Sequence, residues 1–329
     1  MDGLGAAAMS PSRLGLVAAF VLCVAARLGA ASPSACALAR EVEPVAMPEL
    51  EASAGISTAN LRAWVNVLAA PALRGRQAGS DDSRRSARLI AEYLLELGVQ
   101  PAYDSDYCRA FSIPGLRDQN VVGMLLPTGA ARESKWIVLG AHYDALGVDT
   151  HGNIRPGADD NATGVALLLE VARLLALARP ALESSQQSSP GVVFAAFGAE
   201  EPGLYGSAAY VRSPPLPLER VSLMVNVDMA GRLLAGNAGI GYEVTGQSRT
   251  LTTGLVREAA RTAHVGVVPM NLGDRSDNAS FSPYVPSVFF STTIHADYHR
   301  PTDTADRVDY AQVTRAARVV LKLVQRAPP

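Results

Sequence analysis

Strand-length apolar runs recur along this chain, and several of them end on an acid or a histidine. Trp136–Ala141 (WIVLGA) leads into His142 and Asp144. Val192–Phe197 leads into Glu200 and Glu201, Val221–Val227 stops at Asp228, and Ser287–Thr292 precedes a loop carrying His299. Asn120–Leu126 (NVVGMLL) is a further run of the same kind. Unbroken apolar runs of this length are what a strand covered on both faces requires. Helical patterns lie between and before them. Leu61–Leu68 is amphipathic and is followed by a turn at Pro71 and Gly75. Over Ser83–Leu97, Ala87, Ile90, Ala91, Leu94 and Leu95 share one side, and Gly98 stops the helix. Thr163–Ala178 repeats Leu167, Leu168, Val171, Leu174 and Leu175 at helical spacing; Pro180 is read as its end, and the polar stretch Glu183–Pro190 as a solvated loop. This alternation predicts an α/β fold with a mixed, largely parallel central sheet flanked by helices on both faces.

Composition narrows the class. With 48% hydrophobic and 18% charged residues over 329 positions, the chain is globular rather than disordered or fibrous. A net charge of −2 gives no reason to expect nucleic acid or an anionic membrane as a partner. Residues 1–35 read as a signal peptide or lipoprotein leader: Arg13, then the apolar run Leu14–Ala26, then Arg27 and small residues. Met9 is an alternative start, and an uncleaved anchor is the competing reading. Residues 36–56 read as a linker and residues 57–329 as a single catalytic domain. The expected location is secreted, periplasmic or envelope-associated.

The chain has three cysteines. Cys23 falls within the leader. Ser34-Ala35-Cys36 resembles the end of a lipoprotein cleavage site, although Pro33 stands where a larger aliphatic residue is usual. Cys36 is therefore lipidated, paired with Cys108 in an oxidising compartment, or free, as Cys108 would then be too. A membrane tether follows only if Cys36 is lipidated or the leader is retained. Without any CxxC spacing, thiolate zinc binding is not expected.

In open parallel sheets, ligands bind beyond the carboxyl ends of the strands. That is where this chain places His142, Asp144, Asp159, Asp160, Glu200, Glu201, Asp228 and His299, from five separate segments. Singly, each has an ordinary explanation. His142 would be a hydrogen-bonded strand-end histidine, Asp159 or Asp160 a helix cap, and Glu200-Glu201 a solvated pair. Asp228 would be an isolated buried acid, costly unless partnered. Together at one sheet edge they call for cations to neutralise them. Carboxylate and imidazole ligands without thiolate suit zinc, cobalt or manganese. One carboxylate can bridge two ions about 3.5–4 Å apart. His151, His264 and His295 are assigned to structure or surface.

The residues carrying this constellation resemble the aminopeptidase Y-type zinc peptidases, which include bacterial leucyl aminopeptidases. The matching text is VLGAHYD (138–144), PGADDNATGVALLLEVAR (156–173), FAAFGAEEPGLYGSAAYV (194–211), VNVDMAG (225–231), RSDNASF (275–281) and DYHRPTDTADRVD (297–309), with GRQAGS (75–80) and QNVVG (119–123) before them. The resemblance implies a zinc metallopeptidase with two zinc ions per chain (cobalt or manganese as substitutes), acting on a peptide or aminoacyl substrate. Asp160 would bridge the ions, His142 and Asp228 would hold one, and Glu201 and His299 the other. Glu200 would act as general base on the water shared by the metals, which then attacks the peptide carbonyl to release an N-terminal amino acid. Asp144 would orient His142, since a ligating imidazole usually donates its other N–H to a carboxylate.

Three features depart from or refine that pattern. No tyrosine occurs at Gly273–Arg275, where some members carry one, and Tyr298 is the alternative source of a hydroxyl. Ser276-Asp277-Asn278 stands where Ser-Asp-His is familiar. The short span from Glu201 to Asp228 leaves no room for the lid of the related two-domain deacylases and carboxypeptidases. Competing readings on the same fold are a glutaminyl cyclase-like single-zinc acyltransferase, an amidohydrolase of small amides, and a non-catalytic binding module.

Overall fold

A computed structural model describes residue 36 and residues 41–129, 135–233 and 239–327; the leader read over residues 1–35 lies outside them. Helix α1 (Thr58–Leu68) is capped by Ser57, whose hydroxyl accepts from the Asn60 N–H, and α2 (Asp81–Glu96) by Ser80, which accepts from the Ser83 N–H. Each cap satisfies an amide that the helix leaves free, and Asp81 and Asp82 complement the positive end of α2.

Strands β1 (Gln100–Pro101), β2 (Cys108–Ile113), β3 (Leu116–Leu125) and β4 (Trp136–His142) follow, then a two-stranded ribbon of β5 (Gly147–Val148) and β6 (Ile154–Arg155). A wide helical turn over Ala158–Thr163 leads into α3 (Gly164–Ser184). Then come β7 (Gly191–Phe197), α4 (Tyr205–Arg212), β8 (Val221–Val227), β9 (Ile240–Thr245), α5 (Arg249–Ala263), β10 (Val267–Pro269), α6 (Asn278–Phe281), β11 (Ser287–Ser291) and α7 (Tyr310–Arg326).

Among the described residues, nine strands form one sheet in the order β1-β3-β7-β4-β8-β11-β9-β10, with β2 paired to β3. The centre, β7-β4-β8-β11, is parallel, whereas β3 runs antiparallel to β7 and β9 antiparallel to β11. The sheet is thus mixed, with its parallel part at the middle. Apolar runs report two-sided cover, not strand direction, so the antiparallel flanks carried no signal of their own.

Pleating sends alternate side chains of β4 to opposite faces. Ile137, Leu139 and Ala141 enter a core shared with α1, α2, α3, α5 and α7. Trp136 and Val138 enter a smaller one with Phe197, Tyr210 from α4 and Phe281 from α6. Register then builds the site. Gly140 aligns with Asn226, so two residues further on His142 and Asp228 lie level on neighbouring strands and on the same face. His142 also aligns with Phe197, which puts Glu200 three residues beyond that level.

Two sequence expectations need correction. Helix α3 does not end at Pro180 but continues to Ser184. The carbonyl that proline deprives of a donor lies on the half-exposed part of the helix, and Arg179 pairs with Glu183 across it at 2.7 Å. The stretch 36–56 is not a free linker: Val42, Val45, Met47, Leu50 and Ile56 pack on the main core. Of the alternatives left open for Cys36, the structure has the disulfide to Cys108 on β2, closing a separation of 72 residues. Among the described residues no helix is long and apolar enough to cross a membrane.

Candidate metal centre

Every proposed ligand reaches the same edge of the sheet. His142 is the last residue of β4, Asp228 follows β8, and Glu200 and Glu201 follow β7. Asp160 lies in the wide turn before α3, and its peptide to Asn161 is cis. His299 comes from the loop after β11 with a positive φ of 59°, as do Ala199 (54°) before Glu200 and Met229 (62°) after Asp228. Left-handed backbone in non-glycine residues is costly and concentrates at functional sites.

The side chains form two groups whose ligand atoms each fall within 4.8 Å of one another: His142, Glu200 and Asp228, and Asp160, Glu201 and His299. His142 Nε2 lies 3.3 Å from Asp228 Oδ1, 3.4 Å from Asp160 Oδ1 and 3.9 Å from Glu200 Oε2. His299 Nε2 lies 3.1 Å from both Asp160 Oδ2 and Glu201 Oε2. The two oxygens of Asp160 therefore face different histidines. His142 Nε2 and Asp228 Oδ1 are buried without a hydrogen-bond partner, a cost that a shared cation removes. The donor set, imidazole and carboxylate without thiolate, fits zinc.

The electrostatics of the cluster agree. Burial opposes a charged His142, yet Glu200, Asp228, Asp144 and Asp160 outweigh it and hold its pKa well above the ordinary value. Burial likewise opposes His299, and Asp160 and Glu201 overcome it, lifting it to about 10. Burial pushes Glu200 up to about 10, with Asp228, Asp277 and Asp144 adding to the push and His142 opposing it. Glu201 rises to about 7 by burial and the charge of Asp160. Asp160, despite burial, is held below the usual carboxylate range by the two histidines. In this pattern protons occupy the positions that cations would otherwise take.

Asp144 does more than was expected of it. Its carboxylate oxygens accept from the Glu200 N–H at 3.0 Å and the Glu201 N–H at 3.2 Å, while Oδ1 lies 3.7 Å from His142 Nδ1. The nearer partner of His142 Nδ1 is the Asp144 backbone carbonyl at 3.3 Å. The acid thus fixes the Glu200-Glu201 loop directly, and the backbone of the same residue meets the ring. Tyr298 stacks on His299 with ring centroids 3.7 Å apart. Burial, then the charges of Asp160, Glu201, Asp228 and Glu200, raise its phenol pKa.

A model of peptidase family M28 matches residues 120–324. The chain belongs to peptidase family M28. Similar proteins include the uncharacterized protein YfbL of Escherichia coli, 27% identical over 279 residues that cover 74% of this chain and 80% of that one. Aminopeptidase YwaD of Bacillus subtilis is 29% identical over 222 residues, 64% of this chain but only 44% of YwaD. The fold is that of BSAP, a zinc aminopeptidase from Bacillus subtilis (TM-score 0.65, 18% identity, 83% of this chain and 96% of that one). It is also that of the Legionella pneumophila aminopeptidase LapA (TM-score 0.66, 21% identity, 83% and 73%). As an M28 member the chain is a metal-dependent peptide hydrolase.

Several residues that hold this M28 centre in place escaped sequence reasoning. Arg76 is fully buried and donates to the carbonyls of Leu68, Tyr143 (2.7 Å), Pro156 (2.8 Å) and Gly157 (2.9 Å). It thereby ties the residue after His142 to the loop before Asp160. Gly157 can approach this closely because it has no Cβ: one would lie 2.2 Å from the Asp160 carbonyl, at a φ of 60°. The Asp303 carboxylate accepts from the N–H groups of Asp159 and Asp160 at 3.0 and 3.1 Å. Asp159 is structural: it accepts from Gly231 N–H at 2.6 Å and Thr163 Oγ1 at 3.0 Å, and it pairs with His295 at 3.2 Å. Arg76 and Asp303 sat inside quoted motifs, GRQAGS and HRPTDT, but nothing in their residue types marked them as supports.

Proposed function

We propose that this M28 peptidase is an exported aminopeptidase that releases N-terminal residues from short peptides at a centre of two zinc ions bridged by Asp160. The observation that carries the reading is the division of Asp160: Oδ1 toward His142 at 3.4 Å and Oδ2 toward His299 at 3.1 Å. His142 and Asp228 would hold one ion, Glu201 and His299 the other. Bound zinc supplies an acidified water and polarises the scissile carbonyl.

The chain's own residues then handle the proton and the substrate. Glu200, held by its backbone N–H on Asp144, would take a proton from the attacking water at its carboxylate and pass it to the leaving amine. Tyr298, stacked on His299, would donate a hydrogen bond from its hydroxyl to the carbonyl oxygen as charge develops there. Export is supported by the apolar leader and by the Cys36–Cys108 disulfide, which belongs to an oxidising compartment. The disulfide also occupies the thiol that lipidation would need.

The test is hydrolysis of leucyl p-nitroanilide and leucyl peptides by purified protein, abolished by chelation and restored by zinc. Cyclisation of N-terminal glutaminyl peptides in place of that hydrolysis would overturn the reading.

A further inference from the structure

Beside Asp160, Glu201 and His299 the centre opens into a small cavity whose rim carries Arg155, on the β5–β6 ribbon, and Arg300, next to His299. Neighbouring arginines are taken up: Arg232 pairs with Asp297 and Asp303 at 3.3 and 3.4 Å, and Arg307 with Asp297 at 2.7 Å. Among the described residues, Arg155 and Arg300 have no carboxylate within 4.0 Å, although they line a cavity that Asp160, Glu201 and Asp303 also line. Ala145, Leu146 and Glu201 line this cavity and also a second one of about 380 Å³. Its lining is largely apolar, with Ile113, Pro114 and Leu116 from the β2–β3 turn and Pro202 and Tyr205, and Gln77 and Glu201 as its polar members.

We infer that this rim selects dipeptides: Arg155 and Arg300 hold the free carboxylate of the residue after the scissile bond, and the β2–β3 pocket takes that residue's apolar side chain. The inference rests on the aminopeptidase reading above and adds the substrate class. Arg155 and Arg300 line the same small cavity as Asp160, Glu201 and His299, so the carboxylate they would meet is that of the residue adjoining the scissile bond. Guanidinium matches carboxylate geometry through paired N–H donors. An amide or a continuing peptide would present a neutral group there and leave the guanidinium charges unmatched.

The experiment compares kcat/KM of the zinc-loaded full chain on Leu-Leu and on Leu-Leu-amide, with leucyl p-nitroanilide measured alongside. The wild type is expected to favour the free acid on the order of tenfold to a hundredfold, the worth of hydrogen bonds to a charged group. In the double variant Arg155→Ala, Arg300→Ala that ratio falls toward one, whatever the change in absolute rate, and the double lysine variant restores part of it. Equal wild-type rates on acid and amide, with the anilide cleaved, overturn the dipeptide inference alone. So does a ratio that survives in the alanine variant. Failure on all three substrates overturns the aminopeptidase reading together with it.

Discussion

Replacing Asp144 by asparagine is the most informative small change near the centre. The carboxylate accepts from Glu200 N–H and Glu201 N–H through different oxygens, at 3.0 and 3.2 Å. Asparagine keeps one acceptor and turns an NH₂ toward the other donor, so one charge-assisted bond is lost and the remaining one becomes neutral. A hydrogen bond to a charged group is worth about 1.5–3 kcal/mol, or roughly ten- to a hundredfold in an equilibrium. Because the loop it fixes carries both the proposed base and a proposed ligand, zinc affinity and kcat/KM should fall together by about that factor, in keeping with residues that orient metal ligands. Zinc affinity is read by competition with a chromophoric chelator, kcat/KM on leucyl p-nitroanilide, and the fold by circular dichroism at the same temperature. If Asp144→Asn folds normally and leaves both quantities unchanged, the reasoning that the Glu200-Glu201 loop is positioned through Asp144 is wrong.

Three other outcomes are expected. Glu200→Gln should keep zinc, as judged by metal analysis, while turnover falls about 10²–10⁴-fold, the range for a positioned base; near-normal turnover would remove Glu200 from that role. Tyr298→Phe preserves the stack on His299 but removes the hydroxyl, so kcat should fall with little change in KM; a change confined to KM would make the tyrosine a binding residue only. Zinc binding at pH 7 should release protons. The carboxylates overcome burial to raise His142, and His299 to about 10, so both imidazoles carry a proton in the metal-free protein and must lose it to ligate. Zinc affinity should accordingly weaken as pH falls, and calorimetry in buffers of different ionisation enthalpy should detect the release; its absence at pH 7 would contradict the assignment of these ligands.

The proposed ligands His142, Glu201, Asp228 and His299 could be picked out because each follows an apolar strand-length run, and Asp160 because it stands just before a helix. His142 and Asp228 are the clearest instance: each follows an apolar run, and the pairing of β4 with β8 in the structure sets them level. What holds them was not legible. Arg76 acts through four backbone carbonyls of distant segments, and Asp303 through two backbone amides. Contacts of a side chain with backbone leave no pattern in the residue types of their partners. Asp277 and Asn278 lie fully buried, and Asp277 adds to the upward push on Glu200, but only burial in the fold distinguishes them from loop residues. The antiparallel flanks of the sheet were hidden for a related reason. Direction depends on how the chain returns between strands, not on the composition of the strands. Pro180 misled because a proline rule applies to a helix that must satisfy every carbonyl internally, and the end of α3 need not.

The central claim is a binuclear centre divided across Asp160. Zinc-edge anomalous scattering from crystals of the purified, zinc-loaded chain tests it most directly. Two peaks per chain are expected, one between His142, Asp160 and Asp228 and the other between Asp160, Glu201 and His299. A single peak, or peaks away from Asp160, would contradict the account.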